Sequence, residues 1–167
     1  MRIELRERPF DEFRELASQQ SLLAAGSYGA CALFSGSMRD LNDGEAEAVE
    51  RIYLEHYPGM TEDFLRRIAG RARERWELRD ALLLHRVGEV VPGESIVLIA
   101  VWARHRAPAF AACRFLLEEL KARAPFWKKE YARQGGRERW VGQDWSGRAP
   151  AAESPAAKAD AEADAEA

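Results

Sequence analysis

The stretch from residue 80 to residue 103 constrains the fold more than any other part of this sequence. It contains two apolar runs of strand type, at 80–91 and 95–103, joined by Pro92 and Gly93. A proline–glycine pair between two such runs is typical of a turn, so this stretch predicts a β-hairpin. Strands joined by so short a connection pair antiparallel, which argues against a doubly wound parallel sheet.

The rest of the chain alternates strand-like with helix-like segments. Further strands are expected at residues 3–7, 28–35, 49–57, 126–131 and 137–143. Helical spacing of apolar residues is found at 9–17, 61–76 and 108–123. Neighbouring strands and intervening helices together predict the α+β class, with an antiparallel-rich sheet packed by helices in a single domain.

Spacing and residue type also predict where several side chains lie. Phe13 and Phe110 fall on the apolar stripes of their helices and are expected in the core. Thr61 precedes two acidic residues, so its hydroxyl is expected to cap the second helix. Cys31 and Cys113 stand 82 positions apart, without a CxxC pair or a histidine at metal spacing. Both are therefore predicted to be buried, reduced thiols.

Charge is distributed unevenly along the 167 residues. The formal net charge is −3, but residues 149–167 alone contribute −4, which leaves +1 for the remainder. This last segment has no aromatic or branched aliphatic residue, so it cannot bury enough apolar surface to offset the entropy of ordering. We expect a folded domain at residues 1–145 and a disordered acidic tail at 146–167.

The sequence disfavours several classes of function. No apolar run approaches the roughly 18 residues of a membrane-spanning helix, and the first residues do not resemble a secretory signal, so a cytoplasmic location is expected. Signatures of P-loop enzymes, zinc hydrolases, serine hydrolases and dinucleotide-binding proteins are absent from the sequence. Neither a metal nor an organic cofactor is predicted. The charge of +1 outside the tail is too small for a nucleic-acid-binding surface.

A histidine and two arginines mark the start of the third predicted helix. Arg104, His105 and Arg106 precede Pro108, where the free backbone N–H groups of a helix start favour anions. They predict a phosphate-binding position, with solvated arginines and a locally bonded histidine as the alternative. Arg39 follows another strand-like run and is open to the same two interpretations.

Two lysines flank the end of the same helix. Lys121 falls in its last turn, and Lys128 follows across residues 124–127. A lysine in a last turn often does no more than complement the helix dipole, and Lys128 with Lys129 can be a solvated pair. The aromatic pair at 126–127 instead favours a partly dry pocket, in which a lysine can transfer protons.

Five parts of the sequence, taken together, resemble the large subunit of molybdopterin synthase. They are residues 34–40 (FSGSMRD), 54–61 (LEHYPGMT), 85–89 with 92–94 (HRVGE and PGE), 104–106 (RHR) and 120–130 (LKARAPFWKKE). The likeness extends from about residue 3 to residue 141 and follows the family's order and spacing. It implies the fold of that family, an α/β hammerhead.

The resemblance implies an enzyme that converts cyclic pyranopterin monophosphate into molybdopterin by installing two dithiolene sulfurs. In that family the sulfur is delivered by a small ubiquitin-like subunit, whose C-terminal Gly-Gly ends in a thiocarboxylate. Two large subunits form a homodimer at the centre of a heterotetramer, with a small subunit at each end. This arrangement explains the missing catalytic cysteine, because the sulfur nucleophile arrives on the partner.

Matching positions assign substrate binding to Ser37, Met38, Arg39, His105, Arg106, Lys121, Lys128, Lys129 and Glu130. The resemblance, together with the chemistry of cations, suggests that Arg39, His105 and Arg106 hold the phosphate. Lys121 and Lys128 are the predicted catalytic residues, which orient the thiocarboxylate and move protons.

The chain departs from the family pattern at Ser37, where members often carry a lysine. Either Arg39 or Arg104 supplies the missing charge, or the lysine is dispensable. A second hypothesis follows, in which the fold is retained as a noncatalytic binding module for a ubiquitin-like sulfur-carrier protein. The presence of both Lys121 and Lys128 favours the enzyme.

Overall fold

The computed structural model describes residues 1–40, 48–132 and 138–141, and its strands form two separate sheets. The strands are β1 Arg2–Arg6, β2 Ala30–Ser37, β3 Val49–His56, β4 Asp80–Arg86, β5 Gly88–Val90, β6 Ser95–Ala103, β7 Phe126–Ala132 and β8 Glu138–Val141. The helices are α1 Glu12–Gln20, α2 Met60–Trp76 and α3 Arg106–Arg123. The predicted tail at 146–167 lies outside the described residues, so its disorder stays a prediction. Among the described residues, no helix is long and apolar enough to cross a membrane.

Sheet 1 carries the main core. Its strands lie in the order β1-β4-β6-β2, with β1 parallel to β4 and the other neighbours antiparallel. β4 and β6 are buried along almost their whole length, because helices cover both faces of the sheet. α2 and α3 pack on one face around Leu83, Ile99 and Val101, and α1 packs on the other around Leu84 and Trp102.

Sheet 2 is smaller and entirely antiparallel, in the order β5-β3-β7-β8. One of its faces packs on a small apolar cluster that includes Met38, Ile52, Leu54 and Val90. Met38 follows the last residue of β2, which belongs to sheet 1. The cluster, called the sheet 2 cluster below, therefore joins the end of β2 to the second sheet.

The segment at 80–91, expected to form one hairpin strand, is divided between the two sheets. β4 pairs with β6 as predicted, whereas β5 pairs with β3. The chain changes sheet at Val87, whose N–H donates to Arg6 O at 3.0 Å. Gly88 then adopts a φ of 76°, which glycine tolerates without a side-chain clash. The turn that follows connects strands of different sheets.

Three apolar side chains lie elsewhere than their spacing predicts. Phe13 and Phe110 are 75% and 67% exposed, so both face solvent and not the core. Cys31 is exposed because the odd-numbered residues of the edge strand β2 face outward. Cys113 is buried as predicted, and burial raises the pKa of its thiol to about 11.

The cap of α2 also differs from the prediction. Gly59, with a φ of 82°, is the N-cap residue, and its N–H donates to the Glu62 carboxylate at 2.7 Å. Thr61 instead accepts the Tyr57 N–H and donates to Pro125 O, both at 3.1 Å. Its buried hydroxyl therefore ties the end of β3 to the residue before β7.

Candidate functional site

Ser37 is the last residue of β2, and the next two candidate residues, Met38 and Arg39, follow it; hydrogen bonds of Met38 tie this segment to the turn between β5 and β6. The Met38 N–H donates to Glu94 O at 2.9 Å, and the Gly93 N–H donates to Met38 O at 2.9 Å. The Met38 side chain is buried because it packs in the sheet 2 cluster. Ser37 and Arg39, on either side of it, are exposed.

Lys128 and Glu130 point from β7 toward the same cluster. In the ladder between β3 and β7, Lys128 lies opposite Leu54 and Glu130 opposite Ile52. Directly opposed side chains share a face, with Cβ atoms roughly 5 Å apart. Leu54 and Ile52 belong to the cluster that holds Met38. Lys128 and Met38 therefore border the same apolar cluster.

Glu130 organises the charges on this face of sheet 2. Its buried carboxylate pairs through Oε1 with Lys128 Nζ at 2.7 Å and through Oε2 with Arg139 Nη2 at 2.7 Å. A buried carboxylate between two cations holds both in defined positions. Arg139 was not among the predicted site residues, and only the pairing of β8 with β7 reveals its place.

Lys129 points away from this group, although it is adjacent to both members in sequence. Successive side chains of a strand alternate between faces, so Lys129 lies on the opposite face of sheet 2. There its ammonium pairs with Glu138, which raises the pKa of the lysine, and lies 5.6 Å from the centre of the Trp140 ring. Within one protomer, the structure does not bring Lys129 to Lys128 and Glu130.

Lys121, in the last turn of α3, lies toward the end of the protein that carries residues 37–39. The helix ends at Arg123, and two residues separate it from β7. The ring of Phe126, the first residue of β7, stacks on His85 with 4.1 Å between ring centres. His85 lies opposite Val97, near the start of β6. Lys121, in the last turn of α3, is therefore at the end of sheet 1 where β6 begins and β2 ends.

His105 and Arg106 lie at the opposite end of sheet 1. They are the N-cap and first residue of α3, and both are exposed. Because β6 pairs antiparallel with β2, the residues after β6 lie beside the start of β2 and not its end. Eight residue steps along β6 put roughly 25 Å between the two ends. The predicted phosphate site that joins Arg39 to His105 and Arg106 is thus not formed within one chain.

His85 is a buried titratable group that the sequence did not place in the site. Its Nδ1 lies 2.7 Å from Arg86 O, and since a carbonyl only accepts, Nδ1 carries the proton. Burial, with a smaller contribution from nearby His56, lowers the pKa of His85 to about 4 against the effect of the Arg86 bond. The imidazole is neutral near pH 7 and presents a flat ring to Phe126.

The site contains cations where a metal centre would need anionic or neutral donors. In the parts of the chain that the structure describes, no group of three or more His, Cys, Asp or Glu residues could hold a metal ion. Ammonium and guanidinium groups bind anions such as phosphate and carboxylate. The arrangement can therefore bind an anionic ligand at Arg39, close to the apolar cluster that Lys128 borders.

Comparison with known proteins adds family relationships to this geometry. A family model described as "MoaE protein" matches residues 8–123. A relative from Ralstonia nicotianae named molybdopterin synthase catalytic subunit is 50% identical over 141 residues, covering 83% of this chain and 76% of the relative. A relative of the same name from Haemophilus influenzae is 43% identical over 141 residues, covering 84% and 89%.

Solved structures share the fold. The molybdopterin biosynthesis MoaE protein from Burkholderia ambifaria has a TM-score of 0.69 at 39% identity, covering 96% of this chain and 97% of that chain. Molybdopterin synthase from Staphylococcus aureus has a TM-score of 0.72 at 27% identity, covering 84% and 96%. A complex of subunits 1 and 2 of molybdopterin-converting factor from Helicobacter pylori, at 19% identity and a TM-score of 0.68 over 81% and 87%, shows likeness of fold alone.

The α+β class with helices packed on antiparallel-rich sheet is as the sequence predicted, although the strands form two sheets and not one. The chain belongs to the MoaE protein family. The resemblance of its motifs to the large subunit of molybdopterin synthase is confirmed by this membership.

Proposed function

We propose that this chain is the catalytic subunit of a molybdopterin synthase and acts as a sulfurtransferase in the cytoplasm. It would convert cyclic pyranopterin monophosphate into molybdopterin by two sulfur transfers. Each sulfur would come from the C-terminal Gly-Gly thiocarboxylate of a small ubiquitin-like subunit, which would leave as the carboxylate after the transfer. Family membership and the shared name of the relatives support this function. The observation that supports it most is that Lys128 borders the cluster containing Met38, while α3 and the Phe126–His85 contact put Lys121 toward the same end of the protein.

The cations at this end suit the two anions of the proposed reaction. We assign Arg39, with Ser37 and Met38 beside it, to the substrate phosphate, because a preorganised guanidinium stabilises negative charge. Lys121 and Lys128 would orient the incoming thiocarboxylate. They would also transfer protons as sulfur adds to the pterin side chain and oxygen leaves.

His105 and Arg106 belong, in this proposal, to the site of a second copy of the chain. They are exposed at the start of α3, roughly 25 Å along sheet 1 from the end that carries Lys121. A homodimer, at the centre of a heterotetramer with a small subunit at each end, would bring them to Lys121 and Lys128 of the other protomer. A two-fold axis then generates two identical sites.

Reconstitution tests the activity. The purified chain is mixed with thiocarboxylated small subunit and cyclic pyranopterin monophosphate, and molybdopterin is measured. Lys121→Ala should lower kcat at least about 100-fold because a proton-transferring group is lost, while the small subunit still binds. Arg123→Ala removes an exposed cation from the same helical turn and should keep activity.

Two outcomes of the reconstitution would contradict parts of the proposal. Absence of molybdopterin at high concentrations of wild-type chain would reject the enzyme. If Lys121→Ala loses the small subunit as well as activity, Lys121 is an interface residue and not a catalytic one.

Mixed dimers test the shared site. Lys121→Ala and His105→Ala chains, each inactive alone, are combined and allowed to exchange subunits. Random exchange makes half of the dimers mixed, and each mixed dimer has one intact site, so about a quarter of wild-type activity should return. If both residues serve one site within the same protomer, no activity returns.

A noncatalytic binding module for a ubiquitin-like sulfur-carrier protein is the second candidate. Ser37, in place of the family's frequent lysine, is the observation that favours it. Lys121 and Lys128 weigh against it, since a site released from catalysis has no need of both. The module predicts tight binding of the small subunit with no molybdopterin formed, so the reconstitution separates the two functions.

A further inference from the structure

Arg86, the last residue of β4, buries a charged side chain to 2% exposure. Its Nη2 donates to Glu89 O at 2.6 Å, and its Nη1 lies 3.3 Å from Glu94 Oε2. Among the described residues, its Nε has no hydrogen-bond partner. Burying a charge is costly, and an apolar side chain of similar volume often stabilises a core at least as well. Stability alone does not explain an arginine at this position.

Glu94 connects this guanidinium to the candidate site. Its carboxylate faces Arg86 and accepts the Val91 N–H at 3.2 Å, while its backbone carbonyl accepts the Met38 N–H at 2.9 Å. The neighbouring Gly93 N–H donates to Met38 O at 2.9 Å. One residue therefore contacts the buried charge through its side chain and residue 38 through its backbone.

The turn between β5 and β6 contributes little burial of its own. Residues 91–93 are exposed, and Gly93 has a φ of 88°. A surface turn of this kind is held mainly by its polar contacts, because few apolar atoms leave water when it forms. The contacts that connect it to the interior include the Arg86 pair with Glu94.

We propose that Arg86 is a positioning residue for the substrate-binding residues 37–39, acting through Glu94 and the turn. The inference rests on the proposed function for its effect on catalysis. Loss of the guanidinium frees the turn, and the backbone at residue 38 moves with it. Arg39 is then displaced from the anion that it binds, while Lys128 keeps its ion pair with Glu130 on β7.

Kinetics of an Arg86→Met variant test the proposal, because methionine fills the volume without the charge. The KM for cyclic pyranopterin monophosphate should rise about tenfold, with kcat changed less than about twofold. Arg86→Lys keeps a buried cation and should recover part of the loss. Arg51→Met removes the exposed Arg51–Glu89 ion pair of 2.6 Å and, as the matched control, should leave KM unchanged.

A double-mutant cycle distinguishes positioning from general weakening of the fold. If Arg86 acts through Arg39, adding Arg86→Met to Arg39→Ala raises KM no further than Arg39→Ala alone. If the double variant instead raises KM by the product of the two single-variant increases, the proposal is overturned. An unchanged KM in Arg86→Met would overturn it as well.

Hydrogen exchange tests the structural link between Arg86 and the backbone of residue 38 without a measurement of enzyme activity. The Met38 N–H, bonded to Glu94 O, should exchange about tenfold faster in Arg86→Met, whereas the amide of Ile99 in the core should not change. Unchanged exchange at Met38 overturns the proposal. A wild type that forms no molybdopterin rejects the proposed function alone, since the exchange result still stands.

A second variant covers the case in which Arg86→Met does not fold. Glu94→Gln keeps an acceptor for the Val91 N–H while it removes the charge pair, and the same exchange and KM changes are expected. Normal exchange at Met38 together with a normal KM in Glu94→Gln would reject the proposed route through Glu94.

Discussion

At the scale of single residues, the burial of His85 makes stability depend on pH. Burial lowers the pKa of the folded-state imidazole to about 4, while an unfolded chain has a value near 6.5. Between about pH 6.5 and pH 4, the unfolded state binds a proton that the folded state does not. The free energy of unfolding therefore decreases as the pH falls through this window, by up to about 3 kcal/mol.

Urea unfolding of His85→Gln at about pH 7 and about pH 5 measures this effect. The variant should be less stable than wild type at the higher pH, because it loses the ring contact with Phe126. Its stability should then change less between the two pH values. If the stability of His85→Gln changes with pH as much as that of the wild type, the assignment of this pH dependence to His85 is contradicted.

At Gly29 the backbone of Arg104 comes so close that there is no room for a side chain. An added Cβ would lie 2.5 Å from Arg104 O, and the Gly29 N–H donates to Ala103 O at 3.0 Å. Gly29→Ala should therefore destabilise the fold by about 1–3 kcal/mol. In Gly70→Ala, within α2, the new Cβ meets nothing within 4 Å, and a gain of about 0.5 kcal/mol is expected. Equal effects of the two substitutions in chemical denaturation would contradict this account.

Ser37 is exposed next to Arg39, so a lysine there would add a second cation near the proposed phosphate position. If that charge assists binding, Ser37→Lys should lower the KM for the cyclic substrate about two- to fivefold, and less so at high salt. Ser37→Gln adds length without charge and should leave KM near its wild-type value. Similar values for both variants would show that the lysine is dispensable.

At the scale of elements, the alternation of β7 separates two adjacent lysines. Lys128 faces the sheet 2 cluster with Glu130, while Lys129 pairs with Glu138 on the other face. Lys128→Ala should lower kcat/KM at least about 100-fold, whereas Lys129→Ala should stay within about threefold, because its ammonium is directed away from the cluster. Comparable losses in the two variants would show that Lys129 also reaches the substrate.

The elements themselves could largely be predicted from local patterns. The expected strand at 49–57 is β3 Val49–His56, and the expected helix at 61–76 is α2 Met60–Trp76. Alternation and helical periodicity act within a few residues, so a single sequence contains them. The change of sheet at Val87 could not be predicted in this way, because it depends on which strands meet in space.

At the scale of the whole molecule, the motifs indicate which residues to consider but not which of them meet. Arg39, His105 and Lys121 each stand at an end of a helix or strand, and the sequence does not say which end faces which. The antiparallel pairing of β2 with β6 decides it, since it places the end of β2 beside the start of β6. Lys121 therefore lies at the end of sheet 1 that carries Arg39, and His105 lies at the other.

β6 is long enough to keep the two halves of the proposed site apart within one chain, and this affects how specific activity depends on protein concentration. If a complete site takes its two halves from different chains, specific activity should fall on dilution below the dimer's dissociation constant and return on reconcentration. Turnover per chain, measured across a dilution series beside sedimentation, would follow the dimer fraction. In a cell that contains little of this protein, the folded chains would then be inactive until they form dimers.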